Sequence, residues 1–126
     1  MEKRNKIIYW TATVLFTFGM LVSGLSQLFH TNAMVELVAH VGYPLYFMYI
    51  IGTWKILGVI AIVIPKNTLL KEWAYAGFFF LMTGALMSHL IIGDSGKEIL
   101  GPLFQTIFII LSWYFRPADR KINTNN

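Results

Sequence analysis

The sequence predicts an all-α integral membrane protein: a bundle of four transmembrane helices, with a short interfacial helix between the first two. Three observations carry this. Of 126 residues, 56% are hydrophobic and only 13% charged, against about 25% charged in a typical globular chain. Mean hydropathy is +0.60. The apolar residues also gather into four runs, each near the ~20 residues that cross a bilayer. The chain reads as a single domain, 1–126. It has no cysteine, which excludes dithiol redox chemistry, a thiolate nucleophile, disulfides and thiolate-held metals.

The first run is 7–29, long enough to span and too long for a cleaved signal segment, with no small-residue cleavage site after it. The second is 46–64, with Pro44 just before it and Pro65 ending it. The third, 73–92, lies between Lys71-Glu72 and the polar turn Gly93–Glu98. The fourth, 99–115, is near the lower limit for a span and is closed by Pro117. Between the first two, Asn32 is a candidate cap. Met34, Leu37, Val38 and Val41 then share one face of a short amphipathic helix lying in the membrane interface, the alternative being a plain loop. Residues 116–126 read as a polar cytoplasmic tail, mobile from Ala118 onward.

The basic residues set an orientation. Lys3, Arg4 and Lys6 precede the first span, Lys66 and Lys71 lie between the second and third, and Arg116, Arg120 and Lys121 follow the fourth. Four spans place all three groups on one side, so the positive-inside rule puts both termini in the cytoplasm. The net charge of +4 then reports orientation in the membrane rather than nucleic-acid binding.

Polar residues inside the spans mark the candidate site. Ser23, Gln27 and His30 follow helical spacing at the outer end of the first span, Ser88 and His89 end the third, and Gln105 is one turn into the fourth. Lys55 lies deeper, at the expected level of Phe18 and Thr83, about 14 Å along its helix from Ile64. That is more than twice the reach of a lysine stem, and no carboxylate lies at its depth. A central lysine costs about 2.5–3.5 kcal/mol on insertion scales. It must therefore be neutral, hydrated, or bound to an anionic or carbonyl-bearing ligand. The pattern predicts an outward-opening polar pocket with Lys55 at its floor and Gly52 leaving room beside it. Lys55, His89, Gln27, His30, Gln105, Ser88 and Thr83 are its candidate ligand-binding residues. For Gln27, His30 and Gln105 taken singly, interhelical hydrogen bonding explains a polar residue equally well. Gly77, Leu81, Gly84 and Ser88 line one face of the third span, read as a close helix-packing surface. No catalytic, Walker or dinucleotide motif occurs. No metal site is expected, since His30 and His89 lack a supporting carboxylate in sequence.

The segment Ile64–Leu90, "IPKNTLLKEWAYAGFFFLMTGALMSHL", together with "GTWKILG" around Lys55, resembles the DoxX-like family of small bacterial membrane proteins. In that pattern Pro65 ends the second helix, Lys71–Phe78 opens the third, and Thr83, Gly84, Ala85, Ser88 and His89 close it. The resemblance implies a four-helix bundle in the bacterial inner membrane and points to Lys55, Glu72, Ser88 and His89 as candidates, without assigning their roles. The family takes its name from a subunit of an archaeal thiosulfate:quinone oxidoreductase, and wider relatives have redox, chaperone or cargo-receptor roles. Three readings follow. One is an accessory protein, not catalytic alone, that holds a small hydrophobic ligand such as a quinone or lipid. Another is the membrane subunit of a quinone-linked oxidoreductase, with a redox protein or a second copy as partner. The third is an assembly or chaperone factor.

Overall fold

A computed structural model of the chain describes residues 2–94 and 96–122. Five α-helices follow in order: α1 (Glu2–Leu28), α2 (Asn32–Val41), α3 (Phe47–Val63), α4 (Thr68–Ile91) and α5 (Lys97–Tyr114), then a 3-10 turn at Ala118–Arg120. No strand occurs among the described residues. The long helices pack in a ring, α1 against α3 and α5, and α4 against α3 and α5. α1 and α4 are long and apolar enough to cross a membrane, and α3 is a shorter apolar helix. The core joins Phe16 and Met20 of α1, Val59 and Ile62 of α3, Tyr75, Phe78 and Met82 of α4, and Ile109 of α5.

Several boundaries differ from the expected ones, for local reasons. α1 begins five residues early, because Glu2–Lys6 are mostly good helix formers and Glu2 suits the positive end of the helix dipole. α4 begins at Thr68, so Lys71 and Glu72 lie inside a helix rather than before one. The α2 helix exists, but Thr31 is its N-cap and Asn32 is already helical, with no capping bond from the Thr31 side chain. Gly42, at φ 87°, ends it in a left-handed turn whose N–H reaches back to the Ala39 and Val38 carbonyls.

Two glycines fix how α1 and α3 cross. A Cβ at Gly52 would stand 2.8 Å from the Gly24 carbonyl oxygen, and one at Gly24 would stand 3.1 Å from the Gly52 oxygen. The backbones touch there, so Gly52 provides close approach rather than space beside Lys55. This crossing sets the register: Gly24 also meets the Lys55 Cβ. Lys55 is therefore about six residues, or ~9 Å, nearer the α2 end than the Phe18 level expected for it. On the α4 face expected to pack tightly, the two glycine positions are open instead, since a Cβ at Gly77 or Gly84 meets nothing within 4 Å, while Leu81 does pack on the core. The close glycine contact with α4 comes from α3, where Gly58 lies under the Phe78 ring.

The chain after α5 is docked as far as Arg120, contrary to a mobile tail. Arg120 is buried. Its Nη1 donates to the Ile62 oxygen at 2.9 Å, with longer bonds from Nη1 to Ile64 and from Nη2 to Val63, both 3.4 Å. Its guanidinium lies 4.9 Å from the Trp10 ring centroid. Lys71, also buried, donates to the Ala61 oxygen at 2.8 Å and to the Ile64 oxygen. A helix ends with carbonyls that have no partner within it. In α3 these two cations satisfy all of Ala61, Ile62, Val63 and Ile64, and they complement the negative end of the helix dipole. Residues 123–126 of the expected tail lie outside the described residues.

At the same end of the bundle, Glu72 pairs with Arg116 at 2.9 Å and accepts from Trp113 Nε1 at 3.0 Å. Ser112, fully buried, stands between Thr13 Oγ1 at 2.6 Å and the Tyr75 hydroxyl at 2.7 Å, joining α1, α4 and α5 through hydroxyls.

Candidate functional site

The other end of the bundle is hollow. A cavity of about 800 Å³ opens between α1, α3, α4 and α5, within the size range of small-molecule sites. Ser23 and Gln27 of α1, Lys55 of α3, Ser88 and His89 of α4, and Gln105 of α5 all line it. Its walls are otherwise mostly apolar, with Met48, Ile51, Leu81, Met82, Phe104 and Phe108 among them. Met34, Leu37, Val38 and Val41, the four residues expected to share one face of α2, all border it.

Lys55 is 5% exposed, and its Nζ donates to Ser23 Oγ at 2.7 Å. No carboxylate pairs with it among the described residues. The lining continues inward past Lys55 to Gly19 and Leu15. Lys55 therefore stands in the wall rather than at the floor, a consequence of the Gly24–Gly52 register. Gln105 packs its amide directly on Gly19. The Oε1 atoms of Gln27 and Gln105 are buried without a hydrogen-bond donor.

Five of the seven residues expected at the site thus meet in one cavity: Lys55, His89, Gln27, Gln105 and Ser88. His30 and Thr83 do not line it. α1 ends at Leu28, so the helical series Ser23–Gln27–His30 breaks before its last member. His30 adopts φ 52° and lies against the Tyr49 ring, centroids 4.4 Å apart. Thr83 turns its hydroxyl back to the Phe79 oxygen of its own helix at 2.8 Å. Glu72, singled out with Lys55, Ser88 and His89, lies at the opposite end beside Trp113 and Arg116.

Asp94, read only as part of a polar turn, supplies the carboxylate that His89 lacks in sequence. His89 Nδ1 is 2.7 Å from Asp94 Oδ2, and His40 Nε2 reaches both Asp94 oxygens at 2.9 Å. The readable signal is Gly93, at φ 88° just past the end of α4. The chain folds back there, and the Asp94 N–H bonds the His89 oxygen at 2.8 Å. A second tie joins the Tyr43 hydroxyl to Ser88 Oγ at 2.5 Å. Ser88 donates to the Gly84 oxygen at 2.9 Å, so Tyr43 is the donor between them. The α2 segment is thus held over the cavity by His40 and Tyr43. No set of three or more His, Cys, Asp or Glu among the described residues is arranged to hold a metal.

Hydrogen bonds from His89 and then His40 lower the Asp94 pKa from its ordinary 3.8. A carboxylate with a folded pKa below its unfolded value stabilises the fold fully above the unfolded value. The contribution disappears as pH falls through the lowered one. Protection of the α2 amides against hydrogen exchange, relative to the intrinsic rate at each pH, is therefore kept down to about pH 4 and lost below it, and Asp94→Ala shows the reduced protection already at pH 6.

No similar curated protein and no similar solved structure was found for the chain. Residues 11–115 match the DoxX-like family, a span that takes in α1 from residue 11 onward, all of α2–α5 and every residue lining the cavity, and the chain belongs to that family.

Proposed function

We propose that the protein is a multi-pass inner-membrane protein whose four long helices span the bilayer with both termini in the cytoplasm. Its cavity opens at the outer face and holds a small hydrophobic ligand with an oxygen-bearing head, a quinone or a lipid. The observation that carries this reading is Lys55. It is a nearly inaccessible amine in a mostly apolar cavity, bonded only to a neutral hydroxyl. An ammonium there has no carboxylate within ion-pair distance among the described residues, and an oxygen-bearing head supplies the missing acceptor. The bilayer reading draws support from large apolar side chains turned outward on every long helix, including Phe18, Trp54, Phe80 and Ile107. Water does not favour so extensive an apolar exterior, whereas lipid does.

The test is mass spectrometry of organic extracts from protein purified in mild detergent. Wild type carries a stoichiometric hydrophobic molecule, and Lys55→Leu retains about tenfold to a hundredfold less, the loss of one charge-assisted hydrogen bond. The variant keeps its thermal stability, because leucine removes a buried charge without leaving another behind. Equal ligand content in the two proteins overturns the reading. Fusion reporters that place either terminus outside the cytoplasm overturn the orientation.

The buried His89 in the cavity wall, held by Asp94 behind it, favours a second reading, a membrane subunit of a quinone-linked oxidoreductase, since an imidazole can exchange a proton with a ring oxygen. Quinone reduction by the purified protein only when a redox partner is added distinguishes it.

A further inference from the structure

Several hydrogen-bond acceptors in the wall of the cavity have no donor within the protein. Asp94, held ionised by its two histidine contacts, only accepts, so His89 Nδ1 must carry the proton of their 2.7 Å bond. In the neutral ring that leaves His89 Nε2 as a lone-pair acceptor. It has no protein partner among the described residues, and the ring is only 6% exposed. The Gln27 and Gln105 amide oxygens are likewise buried without a donor. On the other side of the balance stands Lys55, whose Nζ gives one bond to Ser23 and keeps further hydrogens free. These groups come from four different helices and line one space.

We propose that the cavity selects a ligand whose head carries a hydroxyl donor as well as an oxygen acceptor. The hydroxyl gives its hydrogen to His89 Nε2, the acceptor receives one from Lys55, and Asp94 is the positioning residue that fixes the His89 tautomer. A head bearing only carbonyl oxygens satisfies Lys55 and leaves His89 unanswered. This rests on the cavity being a ligand site and goes further by naming the hydrogen-bonding character of its occupant. It also assigns a role to Asp94.

A matched pair of probes isolates the donor: a decyl-substituted 1,4-hydroquinone and its parent quinone, which share body and tail and differ in the two hydroxyl hydrogens. Their affinities are measured by anaerobic titration calorimetry at pH 7 on the full chain in detergent, after extended washing has stripped any co-purified hydrophobic molecule. Wild type binds the hydroquinone at least about tenfold more tightly, the worth of one hydrogen bond whose loss leaves a buried group unpaired. In Asp94→Asn the side-chain amide can donate to Nδ1 and move the ring proton to Nε2, so the preference is abolished or reversed in favour of the quinone. A merely structural role for Asp94 would weaken both probes alike. His89→Phe, which keeps the ring volume and removes the acceptor, loses the preference as well and serves if Asp94→Asn does not fold. Thr83→Ala, outside the cavity, behaves as wild type. Equal binding of the two probes to wild type overturns this inference and leaves the ligand site standing, as does an unchanged preference in folded Asp94→Asn. Binding of neither probe to wild type likewise overturns this inference, whereas the ligand site itself falls only if extracts of wild type and Lys55→Leu carry equal ligand.

Discussion

Arg120→Ala lowers the free energy of unfolding in detergent by about 2–4 kcal/mol. One charged side chain supplies bonds to Ile62, Val63 and Ile64, and it also lies over Trp10. Hydrogen bonds to charged groups are worth about 1.5–3 kcal/mol, and a buried carbonyl left without a donor incurs its desolvation cost. Stacking on tryptophan adds about 1 kcal/mol. Arg120→Lys recovers less than half, because a single ammonium cannot match the spread of a guanidinium over three carbonyls. Lys71→Met has a loss of similar size, leaving the Ala61 oxygen without its donor and the Ile64 oxygen with only the long bond from Arg120. Chemical unfolding monitored by tryptophan fluorescence reads both. Full stability in a chain cut before Ala118 would show that α3 ends well without this clamp.

Gly52→Leu costs about 3 kcal/mol or more and has a second effect on the cavity. Its Cβ would sit 2.8 Å from the Gly24 oxygen, and the branch beyond would meet Leu28, whose Cγ is 3.0 Å from that Cβ. Overpacking a close-fitting contact costs about 1–3 kcal/mol when side chains can yield, but here one partner is backbone. α1 and α3 must separate, which stretches the 2.7 Å Lys55–Ser23 bond. Gly77→Ala is the contrast. That position is open, with nothing within 4 Å of a new Cβ, so stability is unchanged or rises by up to about 1 kcal/mol through helix propensity. Thermal melts of the two variants side by side separate packing glycines from incidental ones. Equal melting temperatures would mean that the Gly24–Gly52 contact does not set the crossing.

Local pattern carried much of this far. The four apolar runs needed only their own hydropathy to be recognised as helices. The Met34, Leu37, Val38 and Val41 stripe needed only its spacing, and it borders the cavity. Lys55, Gln27, Ser88, His89 and Gln105 were legible as a group because polar side chains on apolar helices are costly unless they face inward. Thr83 and His30 obeyed the same rule by local means, Thr83 through a bond to its own backbone and His30 through a helix that stopped two residues before it.

What sequence spacing leaves undetermined is which groups meet across the bundle. Asp94 and His40 are 54 residues apart and touch. Arg120 reads as tail and caps a helix that ends 57 residues earlier. Lys71 reads as a basic residue between the second and third spans and is buried at a helix end. The sequence by itself determined the helices, the family resemblance and the polar residues that had to be enclosed. The tertiary structure decided the register, and with it the height of Lys55 in the cavity wall, the carboxylate given to His89 and the cations given to α3. Helix formation and apolar character depend on near neighbours along the chain, whereas register depends on where two backbones come closest, which Gly24 and Gly52 fix only once they meet.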